Sequence, residues 1–217
     1  MAYNIAHTAD NYNVALSTTQ RDYLTPAFTD AFDYTNGQNL SAQTGWVQVW
    51  DELVCTGSAV TGGANDTDHV AYYNASLPDI QYAKATVQSD GFTSYAGVGV
   101  RLNSDGTGYA ALLTLNFILN LRRYDADGGH NTLLSGGITY TSDPVDIMIT
   151  ADGSTITAYA NGTQILQTID ANYSSGYAGV AARLTSQGET IDNFECGVFG
   201  PLRHNITQTI DRYLITT

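Results

Sequence analysis

Lysine is almost absent from this 217-residue chain: Lys84 is the only one, and charged residues make up 13% of the total. Acidic residues outnumber Lys and Arg by 21 to 8, for a formal net charge of −13. A surface this acidic repels phosphate backbones and anionic lipid, so nucleic acid and membrane surfaces are disfavoured as partners. Only Glu52, Glu189 and Glu195 are glutamates. The two cysteines, Cys55 and Cys196, lie about 140 residues apart without a Cys-x-x-Cys spacing. That excludes a zinc or redox motif and predicts two free thiols, unless the first and last core strands are neighbours. No run approaches the ~18 consecutive apolar residues that mark a membrane-spanning helix. Met1-Ala2-Tyr3-Asn4 opens without a basic or apolar leader pattern. No secretion signal is therefore expected, and the chain is expected to stay where it is made or to leave by lysis or assembly. No Gly-x-Ser-x-Gly elbow, His-Glu-x-x-His motif or Walker loop is present. His7, His69, His130 and His204 are scattered, a pattern that suits surface or hydrogen-bonding histidines better than ligands.

The chain is instead full of strand and turn signals. Its length fits one large β domain. Residues 1–25 are polar, lack sustained periodicity and end at Pro26, and are read as an N-terminal arm; 26–199 form the domain; 200–217 form a C-terminal arm. Within the domain about a dozen short strand-like segments alternate with turn clusters such as "NSDGTG", "DADGG" and "ADGS". No helical pattern runs beyond two turns, so the fold class is all-β: a two-sheet antiparallel jelly-roll sandwich with both arms outside it. The sharpest local signal is "ITAYANGTQILQT", residues 156–168, where Asn161-Gly162 sits between two β-favouring runs. A type I′ turn needs positive φ at both central residues, and Asn-Gly supplies it. Alternation there places Ile156 with Ala158, and Ile165 with Gln167, on common faces.

An internal echo stands out. "YAGVGVRLNSDG" (95–106) and "YAGVAARLTSQG" (177–188) share eight residues in register, 82 positions apart. As strands, Ala96, Val98, Val100 and Leu102 point inward in the first copy, and Ala178, Val180, Ala182 and Leu184 in the second. The outward face of each is then nearly bare backbone: Tyr95, Gly97, Gly99 and Arg101, and Tyr177, Gly179, Ala181 and Arg183. Such a face lets a flat ligand or a neighbour's arm approach the sheet, with tyrosines to stack on it and arginines to fork onto carboxylates or sugar hydroxyls.

The order of motifs, namely "FTDAFDY…GW", "GVGVRLNSDGTGYAALL", "LNLRRYDADGG", "DGSTITAYANGTQIL", "SGYAGVAARL" and "IDNFECG", resembles the concanavalin A-like lectin/glucanase sandwich in its laminin-G-like form. The resemblance spans about residues 27–198 and implies a lectin-like fold without fixing a function, since lectins, glycoside hydrolases, adhesive modules and phage structural proteins share it. Glucanases of this fold carry a Glu-x-Asp-x-x-Glu strand, and retaining glycosidases need two carboxyls ~5–5.5 Å apart. None of the three glutamates begins such a motif. A non-catalytic protein is therefore expected.

No cofactor is expected beyond a structural calcium, for which the candidates are Asp30 and Asp192, which would meet if the first and last strands pair. Asp125, Asp127 and Asn131 open like a calcium loop but lack the later acidic ligand, and an Asp-Gly turn accounts for them. Composition, arms and resemblance together lead first to a structural or attachment subunit of a bacteriophage virion, a capsid decoration, head-fibre or tail protein. It would be homo-oligomeric, docked to other capsid or tail subunits through its arms. The alternative is a glycan-binding module using the Tyr-Gly-x-Arg face, with cell-surface glycan as its partner; a glycoside hydrolase comes third.

Overall fold

The computed structural model describes residues 22–63, 67–88, 94–126, 128–139, 144–183 and 189–201. Two antiparallel sheets form among them. Sheet A runs in the spatial order β13 (Thr163–Ile169), β12 (Thr155–Ala160), β11 (Val145–Asp152), β6 (Gln81–Gln88), β15 (Thr190–Pro201), β4 (Val60–Gly62) and β3 (Leu53–Cys55), with β1 (Asp22–Asp30) also paired to β15. Sheet B runs β10 (His130–Gly137), β9 (Ile118–Tyr124), β8 (Gly108–Thr114), β7 (Tyr95–Leu102), β14 (Tyr177–Arg183), β5 (Asp68–Tyr73) and β2 (Trp46–Gln48). Regular helix is limited to two three-residue 3₁₀ turns among the described residues.

Alternation builds the core between the sheets. Ala83, Ala85 and Val87 of β6, Val145, Ile147 and Ile149 of β11, and Ile156 and Ala158 of β12 face Ala96, Val98 and Val100 of β7, Ala111 and Leu113 of β8, and Ala178, Val180 and Ala182 of β14. Each fully buried Val, Leu or Ile contributes about 1.5–3 kcal/mol relative to exposure. The "FTDAFDY…GW" stretch adds an aromatic cluster: Phe28 stacks on Tyr73 with ring centroids 3.4 Å apart, and Trp46 meets Phe194 edge-on at 5.2 Å. Cys55 and Cys196 are both free and buried in this core.

The Asn161-Gly162 hairpin forms as its residues dictate, with φ of 48° and 74° at the two turn positions. The Asp146 N–H also donates to Asn161 Oδ1 at 2.9 Å, which ties the turn to β11. Beyond the turn the pattern departs from simple alternation. A bulge between Ala158 and Tyr159 pairs Ala158 with Leu166, so Leu166 is buried while Ile165 is only half-buried.

The expected limits of the arms fall inside strands. β1 starts at Asp22 and carries Pro26, whose missing N–H is tolerated because β1 pairs on one side only, with a bulge between Pro26 and Phe28. β15 continues to Pro201. The rest of both arms, 1–21 and 202–217, lies outside the described residues.

Candidate functional site

Antiparallel pairing decides what the echo becomes. β14 runs against β7 with Arg183 opposite Tyr95 and Tyr177 opposite Leu102. Each end of the strand pair therefore collects one tyrosine and one arginine, from different copies. The two ends meet different neighbours.

Between them the face is not bare. Tyr95 is 5% exposed and lies in a second apolar cluster with Val70, Tyr72, Leu112, Tyr124 and Ala181, covered by Val47, Val49 and Trp50 from β2 and the segment after it. Arg122 places its guanidinium carbon 4.1 Å from the centroid of the Tyr95 ring. Gly97, Gly99 and Gly179 are all buried. A Cβ at Gly97 would collide with the Ala111 carbonyl oxygen, and one at Gly179 with that of Ala71. These glycines thus allow strands to approach closely, rather than opening a floor for a ligand.

At the Tyr177 end the geometry also departs from the expected pattern. Arg101 has φ of 54°, which breaks the alternation of β7 and turns Leu102 to the outer cluster, where an inward position was expected. Its guanidinium is buried and donates from Nη1 to the Tyr173 carbonyl at 2.8 Å and from Nη2 to the Asp79 carbonyl at 2.9 Å. Tyr177 stacks on Tyr72 with centroids 4.4 Å apart. Leu184 lies outside the described residues.

The Tyr95 end holds the open chemistry. Arg183 opposes Asp68 of β5 as well as Tyr95, and its Nη1 lies 3.8 Å from Asp68 Oδ1. The Tyr95 hydroxyl donates to the same oxygen. From the β9–β10 hairpin, His130 brings Nδ1 to 3.7 Å from Asp68 Oδ2. Thr67 donates to Asp51, and Trp50 packs edge-on against Tyr124 at 4.7 Å. Trp50, Asp51, Thr67, Asp68, His130 and Arg183 line a cleft of about 620 Å³. Burial holds His130 below the ordinary histidine value of 6.5; the cations Arg122 and Arg183 add to this and Asp68 opposes it. The imidazole is therefore neutral at pH 7. Burial and the Asp68 hydrogen bond raise the Tyr95 phenol well above its usual range, so it stays a donor.

Asp68, Asp51, Trp50 and His130 were missed as site residues. His130 had been set among scattered histidines, and Asp68 lies at the first position of β5, where only the order of strands across the sheet reveals that it faces Tyr95 and Arg183. His69 is buried, with Nδ1 2.7 Å from the Glu52 carbonyl. His7, His204 and Asp127 lie outside the described residues.

The calcium candidates do come near one another, since Asp30 pairs with Phe194, two residues from Asp192. The Asp30 carboxylate is taken up by three donors: the Phe32 N–H at 2.8 Å, the Tyr34 hydroxyl at 2.6 Å and the Trp46 indole at 2.8 Å. Asp192 accepts from the Asn193 N–H at 2.6 Å. Among the described residues no group of three or more His, Cys, Asp or Glu side chains is placed to hold a metal. The glutamates also serve structural contacts: Glu52 accepts from Ser41, Glu195 pairs with Lys84 at 3.1 Å, and Glu189 accepts from the Ser94 N–H.

No family model matches the sequence, and no curated protein matches it either. Solved structures do match in three dimensions. A carbohydrate binding module, CBM66 from Bacillus subtilis, superposes with a TM-score of 0.56 over 72% of this chain and 94% of its own, at 17% identity. The sandwich is a lectin-like fold. A second similar structure is the metal-free carbohydrate recognition domain of Emp46p, with a TM-score of 0.55 over 81% of this chain and 98% of that one, at 13% identity. A third is the GH43 BlXynB protein from Bacillus licheniformis, at 0.57 and 11% identity, where the match covers 78% of this chain and 39% of that one. At these identities the likeness establishes the fold and leaves the function to the site.

Proposed function

We propose that this protein is a non-catalytic glycan-binding module that seats a sugar in the cleft around Asp68 and Arg183. The observation that carries this reading is the convergence, in one open cleft, of two carboxylates, a guanidinium, a neutral imidazole and an indole. Sugar hydroxyls are donors and acceptors at once. Asp68 and Asp51 accept from them, Arg183 donates to them, and Trp50 offers apolar surface to the C–H face of a ring. The Tyr95 hydroxyl, its ring packed under the Arg122 guanidinium, braces Asp68 and keeps its carboxylate oriented before a ligand arrives. Carbohydrate-binding names among the similar solved structures support the same reading.

The two carboxylates of the cleft are held by neighbouring hydroxyls, Asp68 by Tyr95 and Asp51 by Thr67, in roles that suit binding. The virion-subunit expectation rests on composition, the terminal segments and the family resemblance, and none of the structural matches above bears a virion protein's name.

Glycan-array screening followed by calorimetry tests the proposal. Asp68→Asn and Arg183→Met should each weaken binding of the selected glycan by tenfold or more, while Lys84→Met on the outer face of sheet A leaves it unchanged. Binding unaffected by both cleft variants, or turnover of a bound polysaccharide, overturns it.

A further inference from the structure

Trp50 lines the cleft, and its position depends on a turn that does not. The indole is half-buried, and the Val49 and Trp50 N–H groups both donate to the Val70 carbonyl, at 2.8 and 3.4 Å, which pins the backbone beneath it. The ring meets Tyr124 edge-on at 4.7 Å, and Tyr124 is fully buried. It also lies against Gly106, which has φ of 89°. A Cβ at Gly106 would come within 2.5 Å of Trp50 Nε1 and 2.7 Å of its Cε2 and Cζ2. The indole thus takes the space that a side chain at 106 would fill.

The turn that carries Gly106, residues 103–107 between β7 and β8, is tied at several points. The Asn103 N–H donates to the Thr107 carbonyl at 2.9 Å, and the Gly106 N–H to the Asn103 carbonyl at 3.0 Å. Asp105 Oδ1 accepts from the Thr107 N–H at 3.0 Å and from the Thr107 hydroxyl at 2.7 Å, an aspartate-closed turn. Asn103 Nδ2 donates to the Arg101 carbonyl at 3.0 Å, which fastens the turn to the end of β7. A collision at 106 is therefore relieved by rotation of the indole, since a side-chain torsion gives more readily than a closed turn. Tyr124 cannot retreat into a filled core, so the ring is left to move toward the cleft.

We infer that Gly106 is a positioning residue for the sugar-binding cleft: its missing Cβ sets the seat of the Trp50 indole, and that seat sets how a sugar ring meets it. The inference rests on the glycan-binding function proposed above and adds to it a residue that touches no ligand. Binding surfaces tolerate little displacement of their aromatic anchors, so a turn behind the cleft controls affinity through one ring.

Gly106→Ala tests this against Gly37→Ala. Gly37 has φ of 82°, a Cβ there meets nothing within 4 Å, and it lies outside the cleft lining, so the two variants share backbone strain and differ in the collision. The first readout needs no sugar. Trp46 is 4% exposed and its indole is bonded to Asp30 at 2.8 Å, so it gives a constant background to the tryptophan emission. Emission should move to longer wavelength in Gly106→Ala and stay in place in Gly37→Ala. The second readout is calorimetry with the glycan selected by the array: Gly106→Ala should weaken binding about tenfold, and less than about twofold once Trp50→Phe has removed Nε1 and the outer ring atoms. Unchanged emission in Gly106→Ala, or an affinity loss as large in the Trp50→Phe background, overturns the inference. If the unaltered protein binds no glycan, the sugar-binding function falls, and the emission result alone decides whether Gly106 seats the indole.

Discussion

Asp170 offers the most quantitative check on this structure. Its carboxylate joins three segments: Oδ1 accepts from the Tyr109 hydroxyl at 2.7 Å and from the Asn172 N–H at 2.9 Å, and Oδ2 accepts from Arg123 Nη1 at 2.9 Å. Burial pushes its pKa up, but these bonds together outweigh burial and bring it from 3.8 down to about 2. The side chain is 9% exposed, so solvent screening is slight. A drop of that size corresponds to about 2 kcal/mol of folding free energy. The sign follows from linkage. A carboxylate with a depressed folded pKa adds stability above its unfolded value of 3.8, and that contribution is lost as pH falls through about 2. Asp170→Asn removes the charge and turns an amide toward Arg123. Urea unfolding of the two proteins should show a gap of about 2 kcal/mol at pH 5–7 that narrows steadily below pH 4. A gap that stays constant down to pH 2.5, or one below ~0.5 kcal/mol at pH 7, would show that ionisation of Asp170 is not what joins these segments.

Gly97→Ala should destabilise the fold by about 2 kcal/mol or more in urea unfolding, because its Cβ meets the Ala111 carbonyl, a backbone atom that cannot step aside. Gly128→Ala, where a Cβ meets nothing within 4 Å, should cost only the strain of φ 81°, about 1 kcal/mol. Glycan affinity should be flat from pH 8 down to about 6.5 and fall only at lower pH, because His130 is held below 6.5 and, once charged, draws Asp68 away from the sugar. Calorimetry with His130→Ala should flatten that profile.

The features legible in the sequence are those with local causes. Two-residue alternation marked the core faces of β7 and β14, with Ala96, Val98 and Val100 and Ala178, Val180 and Ala182 inward, and paired Ile156 with Ala158 on β12, while Asn161-Gly162 announced a hairpin because positive φ at both positions is a property of those two residues. Phe28, Phe32 and Trp46 belong to the "FTDAFDY…GW" stretch, the first motif of the resemblance, and they pack together at the core. What stayed hidden depends on pairing. Nothing near Asp68 in the chain indicates that β5 lies beside β14, so its contact with Tyr95 and Arg183 had no sequence signal. The turned backbone at Arg101 was equally hidden, because arginine gives no sign that it will adopt positive φ. The covered face had the same origin: the segment through Val49 and Trp50, which lies across the outer cluster, is far from both copies of the echo in the chain.

The echo shows how pairing, rather than motif, assigns chemistry. Had the copies aligned in parallel, both tyrosines would share one end and both arginines the other. Antiparallel pairing mixes them, so each end receives a stacking ring and a cation. Their fates then diverge through third parties. At one end Asp68 and His130 meet Arg183 beside an open cleft. At the other, Tyr72 covers Tyr177, and Arg101 is buried on the carbonyls of Asp79 and Tyr173. The same few residues thus yield an open, polar cleft at one end and a buried, carbonyl-bound cation at the other. The difference between them lies in β5, the β9–β10 hairpin and the loops that carry Asp79 and Tyr173, none of which belongs to the repeat.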